Sequence, residues 1–183
     1  IYHTQEVIVE IQVCRERISS RHDEIIVAGI FEKSRSLTGA AEEINACTAG
    51  MIRELVRRGD FTGRLYQVMP LYPRQALRAK RVLLVGLGKE KEFTLERLRG
   101  ACATAARYVR DMGLKSFTLP LAFVQHPSCP LQQKLRACVE GVKLGLYRFR
   151  EFKTKGNDNG KREPAACTVL VNSALELRPA QQA

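Results

Sequence analysis

Residues 77–98, LRAKRVLLVGLGKEKEFTLERL, limit the fold more than any other stretch, because an unbroken apolar segment stops at two glycines and restarts as a helix. Val82, Leu83, Leu84 and Val85 have no polar face, the pattern of a strand covered by helices on both sides of a sheet. Gly86 and Gly88 end the strand. Beyond them Thr94 is placed to accept a backbone N–H as helix N-cap, and Glu96 lies in the positive first turn. Leu95, Leu98, Ala101, Cys102 and Ala105 then recur at helical spacing. The run is one half of an α/β unit.

The same alternation extends along the chain. Strands are predicted over residues 6–13, 25–31, 65–71, 81–85, 117–121 and 167–171, with 65–71 and 81–85 as hairpin-like neighbours. Helices are predicted over 37–58, 94–112 and 131–146, the first carried by Ile44, Cys47, Met51, Ile52, Leu55 and Val56 and closed by Gly59. Residues 153–164, KTKGNDNGKREP, hold only polar residues, glycine and proline, and bury nothing to offset their ordering entropy. They read as a loop or linker. The expected organisation is an α/β domain over 1–152, the linker over 153–164, and over 165–183 a last strand followed by the start of a connection.

A chain of 183 residues is the size of one domain. No stretch reaches the roughly 20 apolar residues of a membrane span, which points away from a membrane protein, and no secretory signal is visible. Cys14, Cys47, Cys102, Cys129, Cys138 and Cys167 form no CxxC pair and fall mostly in apolar periodic segments. They read as small core residues of a reducing cytoplasm. The formal net charge of +11 is the compositional outlier, permitting an acidic partner or nucleic acid without choosing between them.

In order and spacing, LTGAAEEI from Leu37, RRGDFTG from Arg57, KRVLLVGLGKEKEFT from Lys80 and GLYRFREFKTK from Gly145 resemble the N-terminal domain of the leucyl aminopeptidase family. The resemblance spans roughly residues 6–172. It implies a mixed sheet flanked by helices on both sides, similar to a macrodomain, joined in the parent protein to a C-terminal catalytic domain that removes N-terminal residues from peptides. It further implies a homo-oligomer, a hexamer, in which this domain serves assembly and access to the active sites. The family's two divalent metal ions, zinc or manganese, are expected in that other domain. Motifs such as NTDAEGR, which carry the metal ligands, do not occur here, so no catalytic or metal-binding residue is carried over and this polypeptide alone is expected to be inactive.

The remaining chemistry is sparse. Gly86, Gly88 and Lys89 form a candidate anion-binding turn, since amides at a glycine turn before a helix can cradle an anion. The spacing fits neither the dinucleotide fingerprint nor the Walker loop, and a tight structural turn explains it as well. A metal site sought in His126, Cys129 and Cys138 has only the His126–Cys129 pair at close spacing, too few for zinc, and Glu42, Glu43, Glu90 and Glu92 read as solvated faces. Two basic groups are candidate nucleic-acid-binding residues: Arg74, Arg78, Lys80 and Arg81, and then Arg148, Arg150, Lys153 and Lys155, which lie with Lys143, Lys161 and Arg162 around Tyr147, Phe149 and Phe152. Beside the assembly role stand two alternatives, a DNA-binding or regulatory module and a nucleotide or ADP-ribose pocket inherited with a macro-like fold.

Overall fold

The structure is a computed structural model and describes residues 9–34, 36–147 and 164–171. Six strands form one sheet: β1 (Glu10–Arg15), β2 (Ile26–Ile30), β3 (Val68–Leu71), β4 (Val82–Gly86), β5 (Ser116–Pro120) and β6 (Ala166–Val171). Their order is β1-β6-β5-β2-β4-β3, and every pairing is parallel except β3 with β4. Four helices cover it: α1 (Gly39–Cys47), α2 (Met51–Arg58), α3 (Leu95–Asp111) and α4 (Leu131–Leu146). This is the mixed, doubly covered α/β sheet that the apolar run of β4 predicts.

Every residue of β2 and β4 is buried, so alternate residues face opposite helix layers. Ile25, Val27, Leu83, Val85, Phe117 and Cys167 pack with Leu98, Ala101, Cys102, Cys138 and Val142 of α3 and α4. Ile26, Ala28, Ile30, Val82 and Leu84 pack with Ala40, Ala41, Ile44 and Ile52 of α1 and α2. All six cysteines are free thiols; Cys102, Cys129, Cys138 and Cys167 are small core residues, Cys14 and Cys47 are half-buried, and burial pushes the Cys167 thiol up.

The helix predicted over 37–58 is two helices. Ala49 and Gly50 take left-handed φ values of 51° and 85°, the amide of Gly50 donates to the Asn45 carbonyl at 2.9 Å, and Asn45 Oδ1 accepts from the Arg53 amide at 3.1 Å. Apolar spacing runs through this corner unchanged, which hides the break. The strand predicted over 65–71 is shorter for a related reason: Tyr66 has φ 63°, and regular pairing starts at Val68.

Helices α3 and α4 approach so closely that α4 must carry glycines at the contact. A Cβ on Gly141 would stand 2.4 Å from the Arg99 carbonyl oxygen, and one on Gly145 2.5 Å from that of Ala103. Glu140 is bound by Arg136, one turn before it on α4, at 2.7 Å and by Arg99, across the interface on α3, at 2.6 Å, and the two hold its carboxyl below the usual range. At the opposite sheet face, Arg21 grips Asp23 with two bonds of 2.6 and 3.0 Å and reaches Thr168 Oγ1 at 3.3 Å. Asp23 Oδ2 also accepts from the fully buried Thr118 hydroxyl at 2.5 Å. One carboxylate thus satisfies the polar groups that β5 buries, and with Arg21 reaches β6.

Two stability outcomes follow, each read as a urea midpoint. Gly141→Ala forces backbone apart and lowers stability by about 2 kcal/mol. Asp23→Ala leaves Thr118 without its acceptor and Arg21 with Glu16 as its remaining carboxylate, and costs about 2–3 kcal/mol.

Candidate functional site

The connection from β4 through α3 to β5 crosses over β2, so the strand order reverses there. In open α/β sheets ligands bind at the carboxyl ends of the strands beside such a reversal. Here that crevice is lined by Gly29, Ile30, Phe31, Leu37, Thr38, Leu87 and Phe123 among others, and its volume is about 10 Å³. That is no more than one water molecule needs. Leu87 and Phe123 fill it: a Cβ on Gly29 would lie 2.9 Å from Leu87 Cδ1 and 2.6 Å from the Phe123 carbonyl oxygen. At its mouth Phe31 meets Phe93 edge-on at 5.5 Å between centroids, and Phe93 meets the His126 ring at 4.8 Å.

The Gly86–Gly88 turn lies at this same end and spends its donors internally. The amide of Gly86 donates to the Gln67 carbonyl at 2.7 Å, that of Leu87 to Ile30 at 2.9 Å, and that of Gly88 to Gly63 at 3.0 Å. Lys89 Nζ pairs with Glu92 at 3.3 Å. A Cβ on Gly86 would meet the Arg64 carbonyl oxygen at 1.9 Å, so this glycine is required by a crossing of backbone. Close packing accounts for both the glycines and the amides, and leaves none of these three N–H groups for an anion.

The other candidates are also brought into internal pairs. Glu42 binds Arg53 at 2.8 Å, Glu43 accepts from the Ile18 amide at 3.2 Å, and His126 Nδ1 accepts from the Ser128 amide at 3.2 Å. Among the described residues no group of three or more His, Cys, Asp or Glu is arranged to hold a metal ion. Nor is any helix among them long and apolar enough to cross a membrane.

Arg74, Arg78, Lys80 and Arg81 occupy the loop between β3 and β4, at the opposite end of the sheet from Gly86. Arg74, Arg78 and Lys80 are exposed, and the Arg78 guanidinium lies 3.1 Å from His22 Nε2. Arg81 is half-buried, its guanidinium 5.8 Å from the centre of the Tyr72 ring. Arg148, Arg150, Lys153 and Lys155, with the linker 153–164, fall outside the described residues apart from Pro164. The sequence reading missed Tyr72, Leu87, Phe123 and the Phe31–Phe93–His126 cluster. Tyr72 beside a basic run was a legible signal; the crevice fillers are indistinguishable in sequence from ordinary core residues.

A six-stranded mixed sheet with a filled crevice at the strand reversal is a macro-like α/β domain. A family model for the N-terminal domain of the cytosol aminopeptidase family matches residues 27–156, and the chain belongs to that family. The probable cytosol aminopeptidase of Idiomarina loihiensis is 34% identical over 159 residues, which are 86% of this chain and 31% of that protein. The chain therefore spans about a third of the length of such relatives. Among solved structures, a mutant tomato leucine aminopeptidase superposes with a TM-score of 0.70 at 14% identity, over 98% of this chain and 36% of that one. The Trypanosoma brucei macrodomain in complex with ADP-ribose superposes with a TM-score of 0.70 at 17% identity, over 98% of this chain and 72% of that one. These last two likenesses establish the fold.

With the crevice filled, calorimetric titration of ADP-ribose into this chain is expected to give no saturable heat. Binding in the micromolar range would show that Leu87 and Phe123 move aside.

Proposed function

We propose that this domain is the non-catalytic N-terminal part of a metal-dependent aminopeptidase, acting in assembly and in access to active sites carried by the rest of the polypeptide. The observation that carries the reading is the family match over residues 27–156, combined with the chain covering 31% of a relative's length. The filled crevice supports it, because packing there removes the ligand space at the fold's usual binding position and leaves the domain its surfaces. In this reading the two divalent ions, zinc or manganese, belong to the C-terminal catalytic domain, the working assembly is a homo-oligomer and the compartment is the cytoplasm.

The test compares the polypeptide encoded by the natural reading frame with this chain alone, by release of the chromophore from leucine p-nitroanilide. The longer product is expected to cleave it, to lose activity to a chelator and to regain it with manganese or zinc, while this chain alone does nothing. Deleting this domain from the longer product is expected to change the oligomer mass measured by light scattering. Full activity and unchanged mass after deletion would overturn the assembly role.

A further inference from the structure

Most arginines on the helices are matched by carboxylates, although Arg107 instead donates to Thr104 Oγ1 at 3.0 Å. Arg53 pairs with Glu42, Arg57 and Arg58 with Glu54, Arg97 with Glu92, and Arg99 and Arg136 with Glu140. The β3–β4 loop is different. Among the described residues Arg74, Arg78, Lys80 and Arg81 have no carboxylate partner, and Arg78 Nη1 lies 3.1 Å from His22 Nε2. Arg81 Nε is buried with no hydrogen-bond partner, which is costly for a group that normally binds water or an acceptor. Its guanidinium lies by Tyr72, and Arg74 is held at a left-handed φ of 52° directly after Pro73. Four cations without a carboxylate partner thus fall within residues 74–81, and one of them, Arg81, lies by an aromatic ring.

The surroundings favour a protein partner over a nucleic acid. Tyr72 is 56% exposed, and Met112, 43% exposed, follows the C-terminus of α3, which returns to the same end of the sheet. Leu144 and Tyr147, 65% and 70% exposed, lie at the C-terminus of α4, also at that end, and Arg110 of α3 donates to the Gly145 carbonyl between them at 3.0 Å. Exposed tyrosine and methionine beside arginine is the composition of protein interface centres, where arginine forks pair with carboxylates. A phosphate track would instead call for cations strung along a groove with stacking rings between them. A second copy of this chain is disfavoured by its own charge of +11.

We propose that the end of the domain built around Tyr72, Arg74, Arg78 and Arg81 docks an acidic protein surface, with Tyr72 as the apolar contact and Arg81 receiving a carboxylate. The proposal is independent of the aminopeptidase reading, since it concerns a surface of this chain alone.

The test is fluorescence anisotropy of the 183-residue chain with labelled hexaglutamate, and in parallel with a labelled six-base thymidine oligonucleotide, at two salt concentrations. Hexaglutamate is expected to bind more tightly than the oligonucleotide. Arg81→Gln and Tyr72→Ala each weaken it about five- to tenfold, and Arg53→Gln, which removes an equal charge from a matched pair, changes it less than twofold. Arg74→Gln, on the exposed turn, gives the same readout should Arg81→Gln fail to fold, and circular dichroism reports folding of each variant. The proposal is overturned if hexaglutamate does not bind, if Arg53→Gln weakens binding as much as Arg81→Gln or Arg74→Gln, or if the oligonucleotide binds more tightly through the same residues.

Discussion

Burial of β2 and β4 on both faces is the constraint on which the rest of the structure depends. Ile26 to Ile30 and Val82 to Gly86 have no solvent side, so neither strand is stable in water unless both helix layers are in place. That requirement explains features that otherwise look unrelated. Helices α3 and α4 must both fit over one sheet face, and Gly141 and Gly145 let them close to backbone contact. On the other face α1 and α2 cover β2 and β4, whereas over β5 and β6 the cover comes from the segment around Arg21. There the buried hydroxyls of Thr118 and Thr168 would lack partners without Asp23 and Arg21.

The two ends of a parallel sheet are chemically unlike, and this chain treats them oppositely. At the carboxyl ends of the strands, the position where this fold class makes its ligand site, Leu87 and Phe123 occupy the space and the Gly86–Gly88 amides are consumed by neighbouring carbonyls. Apolar contacts replace the donors that an anion would need. At the amino ends, exposed tyrosine, methionine and unmatched arginines collect instead. A likeness to a macrodomain in overall path therefore does not carry that protein's ligand with it, because the fold fixes where a pocket would be and the side chains decide whether one exists.

Much of the architecture was legible in sequence for a definite reason: strands buried on both faces and helices with one apolar stripe have different periods, and residues 81–85, 94–112 and 131–146 show them cleanly. The corner at Ala49–Gly50 was not, because its cause is an alanine forced left-handed by capping bonds that leave the apolar spacing intact. The Arg21–Asp23–Thr118–Thr168 network was equally hidden, since it joins residues 95 and 147 positions apart through pairings no local pattern encodes. For the candidate site, the basic run at 74–81 was visible, but its isolation from carboxylates is a tertiary fact. The glycines at 86 and 88 were visible as well. Their purpose, the crossing of the Gly63–Arg64 backbone, depends on a loop more than twenty residues upstream.

With the crevice at the strand reversal filled, the surfaces of this domain are what it offers a partner, and they are unequally available. The β3 edge carries Pro70, which has no N–H to offer an added strand, and the β1 edge exposes Glu10, Gln12 and Arg15. Both devices discourage strand addition. The outward side of α2 and the first turn of α3 carry arginines already bound to glutamates, so a charged partner gains little there beyond exchanging one ion pair for another. What is left is the end of the sheet that carries the β3–β4 loop and the last turns of α3 and α4. Unmatched charge and exposed aromatic area coincide there, and association at that end gains the ion pairs and apolar contacts that the isolated domain lacks.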